Sequence, residues 1–160
     1  LQRFTTDNHQ SGFSGEVTVS ADGRHLRYSL NDQGELSRAE EPISAPAVTG
    51  PSMHGFILAH WNELQAGHEL PIRFVVLREK QTYGFVIRHE QTRKGQSTFS
   101  ITPSNWLVRW FIAPLKVVFD SQRKTVLNYE GRVPPQQNVD GKLRDLDARV
   151  EYVSVAATYR

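Results

Sequence analysis

The stretch LPIRFVVLREKQTYGFVIRH (70–89) decides the fold, because its hydrophobic period is two where that of the residues before it is helical. Pro71 to Arg78 and Thr82 to His89 read as strands joined by the polar turn Glu79-Lys80-Gln81. Ser97 to Thr102 follows as a third strand after the turn Thr92 to Gln96. Phe74, Val75, Val76 and Leu77 leave neither face polar, which marks the first of the three as a central strand.

Working back towards the N-terminus, the period becomes helical. Met53, Phe56, Ile57, His60, Trp61 and Leu64 fall on one face at helical spacing. Ser52 has the chemistry of an N-cap and Gly67 stands where a left-handed C-terminal cap is commonly glycine. A helix from Ser52 to Ala66 is the expectation. Glu40 to Pro51 carries three prolines and reads as a crossing or lid loop. Before it, Phe13 to Val19 and His25 to Leu30 flank an Asp22-Gly23 turn, and Asn31 to Gly34 turns into a short strand, Glu35 to Ala39.

Working forward, Pro103-Ser104-Asn105 opens a shorter helix through Trp106, Leu107, Trp110 and Phe111, stopped by Pro114. Strands then follow at Leu115 to Phe119 and at Thr125 to Val133, the latter interrupted near Gly131. Pro134 to Lys142 reads as a polar loop, and Leu146 to Tyr152 alternates as the last strand, with Leu146, Ala148, Val150 and Tyr152 on one face. The pattern predicts a mainly β chain with minor α (α+β). It is a curved antiparallel sheet or unclosed barrel of about nine strands with one main amphipathic helix and a second short one. All of it is expected in a single β-rich domain spanning 1–160, a length that suits one domain.

Composition excludes several function classes. Hydrophobic residues are 38% and charged residues 22%, so the chain has enough apolar surface to bury a core and is not a disordered polymer. No apolar run approaches the ~18 residues of a membrane-spanning helix. The net charge is only +2. The exposed basic pairs Arg93-Lys94 and Arg123-Lys124 lie far apart in sequence, without the dense basic stripe of a nucleic-acid binder. With no cysteine, disulfides, thiol catalysis and cysteine zinc sites are excluded.

Tests for chemistry fail on named residues. No glycine-rich phosphate loop or nucleophile elbow is present. His54 and His60 are six apart, roughly 600° around a helix, so they do not share the face that an i, i+4 zinc pair needs. Asp145 and Asp147 could divide acid and base roles on one face of the last strand. The neighbouring Arg144 and Arg149 make a polar strand face an equal account of them. Glu130 and Arg132 read as structural residues that pair across strands. Neither a catalytic set, a metal nor a cofactor is expected.

The aromatic residues carry the functional expectation. Phe56, His60 and Trp61 on the main helix, with Trp106, Trp110 and Phe111 on the short one, read either as core packing or as the lining and lid of a pocket left by a curved sheet. A non-enzymatic site for a hydrophobic or amphiphilic small molecule is the leading expectation. A structural or assembly module that docks a protein partner through the aromatic helix is the second. An enzyme pairing His60 with an acid of the last strand is the third.

Two further runs carry a resemblance. His60 to Gly67 followed by Leu70 to Phe74, and Val118 to Val133 with its Tyr129-Glu130-Gly131 strand ahead of Asp140-Gly141-Lys142, resemble a group of uncharacterised exported bacterial proteins. The likeness covers most of the chain from about residue 50 onwards. More distantly, the Tyr-Glu-Gly pattern is similar to the sheets of periplasmic lipoprotein carriers, which are unclosed β-barrels with a hydrophobic concavity that shuttle acyl chains. The resemblance implies an exported, periplasmic protein whose signal segment lies outside this sequence.

Overall fold

The computed structural model describes residues 1–9, 11–105 and 114–153. The chain is mainly β, with eleven strands and two helices among those residues. The strands are β1 (Arg3–Asn8), β2 (Phe13–Val19), β3 (His25–Asp32), β4 (Glu35–Pro42), β5 (Ala47–Val48), β6 (Leu70–Val76), β7 (Gln81–Arg93), β8 (Gln96–Pro103), β9 (Leu115–Asp120), β10 (Val126–Val139) and β11 (Lys142–Glu151). The helices are α1 (Gly50–Ala59) and α2 (Trp61–Gln65). One sheet has the order β1-β2-β3-β4 and the other β11-β10-β9-β8-β7-β6-β5, and neither closes into a barrel. No described helix is long and apolar enough to cross a membrane.

The nine expected strands are all present; β1 and the two-residue β5 are additional. β1 carries a single large apolar residue, Phe4, so its alternation is faint in sequence. β5 pairs with β6 in parallel, Ala47 opposite Arg73 and Val48 opposite Phe74, against an antiparallel expectation. Parallel neighbours need a crossover, and the helical segment after β5 supplies it.

Three two-residue hairpin turns share one backbone solution. Gln33-Gly34, Lys94-Gly95 and Asp140-Gly141 all hold positive φ at both central residues. That is the geometry whose twist matches the flanking strands. The third corrects the expected loop at Pro134 to Lys142. β10 runs on to Val139, and the two prolines fall where its register with β11 shifts between Val133 and Gln136. Proline is tolerated in a strand at such an irregularity because no ladder bond is asked of it there.

The backbone gathers into two compact units, Leu1–His60 with Pro71–Phe85, and Trp61–Leu70 with the chain from Val86 onwards. In the first, Leu26, Tyr28 and Leu30 of β3 are buried while Arg27 and Ser29 are exposed, a direct outcome of the two-residue period. They pack with Phe13, Val17, Val75 and Leu77. Gly15 has no side chain because Leu30 Cγ and Leu77 Cδ2 would lie 3.3 Å from a Cβ there. In the second unit, Trp61, Leu64, Ile87, Phe99, Ile101, Leu115, Val117 and Phe119 are buried.

The expected helix from Ser52 to Ala66 is two helices. Thr49, not Ser52, is the N-cap: its Oγ1 accepts from the Ser52 amide, and the Ser52 hydroxyl accepts from the Thr49 amide at 2.9 Å. Pro51 fits inside the first turn because that turn needs no amide donor from it. His60 leaves the helical region at φ −109°, ψ 21° and divides α1 from α2. Gly67, at φ 90°, follows α2 as expected.

Candidate ligand-binding site

α1 is ten residues long and contains no acidic or basic side chain other than the imidazole of His54. Met53 and Ile57 form its buried stripe. Phe56 and His60, one turn apart, stack with ring centroids 4.5 Å apart and 35° between planes, and both are half-buried. Burial lowers the His54 pKa below the ordinary histidine value, which favours the neutral imidazole at pH 7. The side turned to solvent carries Pro51, Gly55, Leu58 and Ala59, with Leu58 37% exposed. A solvent-facing helix surface is ordinarily charged or polar; this one is apolar throughout.

Trp61 belongs to the second unit. It is 8% exposed and packs on Phe99 at 5.0 Å and edge-on to Phe119 at 5.6 Å between ring centroids. The Lys124 ammonium stands 5.4 Å from the Trp61 ring centroid, within cation–π range. The structure therefore brings Phe56 of α1 and His60 at its C-cap together and sets Trp61 in a separate aromatic cluster. Trp106, Trp110 and Phe111, and with them the expected short helix, lie outside the described residues.

The carboxylates weighed for acid–base chemistry are engaged. Arg132 donates to Asp147 Oδ1 at 2.8 Å and to Asp145, and Arg149 pairs with Glu130 and Glu151. Glu130 and Arg132 of β10 thus pair across strands with partners on β11, as the sequence suggests. Among the described residues no group of three or more histidine or acidic side chains could hold a metal ion.

One polar cluster has no precursor in the sequence reading. Gln65 Nε2 donates to Thr92 Oγ1 at 3.2 Å and to Ser97 Oγ at 3.1 Å. Thr92 Oγ1 lies 2.9 Å from His89 Nε2 and 2.9 Å from Ser97 Oγ, which lies 2.9 Å from Ser121 Oγ. Ser97 is fully buried, so these bonds meet the desolvation cost of its hydroxyl. The five groups come from four elements, α2, β7, β8 and the turn after β9, and only the sheet register assembles them.

No protein family, curated protein or solved structure matches the chain.

Proposed function

We propose that this protein binds an amphiphilic small molecule without transforming it, seating the apolar part on the outward face of α1. The observation that carries this is the charge-free outward surface of α1, with Leu58 and Ala59 in solvent beside the half-buried Phe56–His60 stack. Covering it removes apolar surface from water at roughly 25 cal/mol per Å².

Size favours a small molecule over a protein. Ten helical residues span about 15 Å, and one apolar strip of that length falls well short of the ~800 Å² per partner of a stable protein interface.

Titration with a dansylated fatty acid, read by fluorescence, tests the proposal. Saturable binding to the wild type that Leu58→Asp abolishes supports it. No saturable binding, or binding indifferent to both Leu58→Asp and Phe56→Ala, overturns it. A concentration-dependent dimer lost in Leu58→Asp, with no dye binding, would assign the same face to a protein contact.

A further inference from the structure

The two basic pairs that stand 30 residues apart in sequence meet at one end of the second unit. Arg93 and Lys94 lie at the β7–β8 turn, and Arg123 and Lys124 on the turn between β9 and β10. The β8–β9 register sets Gln96 opposite Asp120. Beyond that pair, the Ser121 amide donates to the Gly95 carbonyl at 2.8 Å, which joins the two turns directly. All four cationic residues are exposed, and none of them forms an ion pair within 4 Å among the described residues. The carboxylate in their midst, Asp120, is bonded back to its own turn. Its Oδ1 accepts from the Gln122 and Arg123 amides at 2.9 and 2.8 Å, and these bonds hold its pKa below the ordinary value.

Behind the cations stands the chain of hydroxyls. Each hydroxyl has one proton to give, and both Gln65 N–H groups are committed to Thr92 and Ser97. The chain therefore has two polarities. If His89 Nε2 accepts, the protons run from Ser121 through Ser97 and Thr92 to the imidazole. If Nε2 carries a hydrogen, they run the other way, and the half-buried Ser121 hydroxyl keeps a proton that the chain does not use. No internal hydrogen bond is lost in the exchange, so Ser121 can become a donor to a ligand at little cost.

We propose that this corner binds a phosphate monoester group, with Arg93, Lys94, Arg123 and Lys124 supplying charge and Ser121 a directed donor. The proposal is independent of the α1 site. The cations are confined to two adjoining turns rather than strung along a groove, which suits one tetrahedral dianion better than the extended backbone of a nucleic acid. A free phosphate ester and a lipid head group share that chemistry.

Amide NMR titration of the whole chain with inorganic phosphate and with glycerol phosphate is the test, with chloride at equal ionic strength as the control. Saturable shifts confined to residues 93–96 and 120–125 are expected. The double variant Lys94→Asn/Arg123→Gln should weaken binding about tenfold, as two exposed charge contacts would, and Ser121→Ala by a few-fold. Arg3→Gln, in the other unit, should change nothing. Sedimentation with phosphatidylcholine vesicles containing phosphatidic acid separates the sources. Retention on vesicles without shifts from the soluble esters assigns a lipid head group, and shifts from the esters without retention assign a soluble ligand. Shifts equal to those from chloride, or binding that the double variant leaves intact while its melting temperature is unchanged, overturn the proposal. So does a preference for duplex DNA over both phosphate probes.

Discussion

The Tyr28 hydroxyl donates to Glu41 Oε1 at 2.5 Å, a diagonal bond between β3 and β4 that ties a 2%-exposed phenol to a half-buried carboxylate. Burial first, and then the bond to Glu41 and its charge, raise the Tyr28 pKa far above the ordinary tyrosine value. Tyr28→Phe keeps the ring in the core but leaves Glu41 without this donor. A loss of about 1–3 kcal/mol is expected, measured by urea denaturation.

The same phenol sets an alkaline limit. A group whose folded pKa is raised contributes stability that is complete below the unfolded value, about 10 for tyrosine, and is lost as pH rises beyond it. Tyr129, pushed up to about 12 by burial and then by the Asp147 charge, acts in the same direction. The melting temperature should change little from the phenols between pH 7 and 9 and fall steeply above about 10. Tyr28→Phe should flatten that fall. An equal slope in wild type and variant would show that Tyr28 is not the group responsible.

Two glycines rank themselves. A Cβ on Gly15 would sit 3.3 Å from Leu30 Cγ, Leu77 Cδ2 and the Ser29 carbonyl, crowding that a small shift relieves. At Gly131 a Cβ would collide with Leu115 Cδ2, and φ there is +139°, a conformation that side chains rarely adopt. Gly15→Ala should cost about 1–2 kcal/mol and Gly131→Ala more, about 2–4, by denaturant midpoint. The reverse order would mean that β10 can relax around Leu115 more readily than the first core around Leu77.

These residues also show where sequence reasoning reached and where it stopped. Leu26, Tyr28 and Leu30 announce β3 because one-sided burial writes a period of two into the chain. Asp140-Gly141 carries a hairpin signal as strong as any in the sequence, yet it stands in a polar stretch, Pro134 to Lys142, that reads as a loop. A register shift that accommodates proline is a property of the pairing with β11 and leaves no local mark. Ile57, Trp61 and Leu64 keep helical spacing across His60, so the break between α1 and α2 is invisible in the pattern. The helix face with Phe56 and His60 was legible because i, i+4 spacing is local. The corner of Thr92, Ser97, Ser121 and Gln65 was not, since it depends on which strand ends lie side by side.

The reciprocal cap of α1 gives a further stability test. Thr49 is buried, its Oγ1 lies 3.0 Å from Ser52 Oγ, and the Ser52 hydroxyl also satisfies the Thr49 amide. Thr49→Ala should cost about 1 kcal/mol, within the range for lost caps, and Ser52→Ala a similar amount. Because each residue serves the other, the double variant should cost clearly less than the two losses added. Full additivity, in thermal denaturation, would mean that the two bonds act independently.

Wall and ligand face should separate in one pair of substitutions. Trp61 lies in the aromatic cluster with Phe99 and Phe119, so Trp61→Ala opens a cavity there and should cost about 3–5 kcal/mol. Leu58 is partly in solvent and outside the buried stripe of α1, so Leu58→Asp should move stability by less than about 1 kcal/mol. Binding of the dansylated fatty acid should respond in the opposite order. Leu58→Asp should abolish it at unchanged melting temperature, because a carboxylate now stands where apolar surface must be covered. A Trp61 variant that folds at low temperature should still bind through α1. If Trp61→Ala abolishes binding in the folded state and Leu58→Asp does not, the ligand seats in the second unit rather than on the helix.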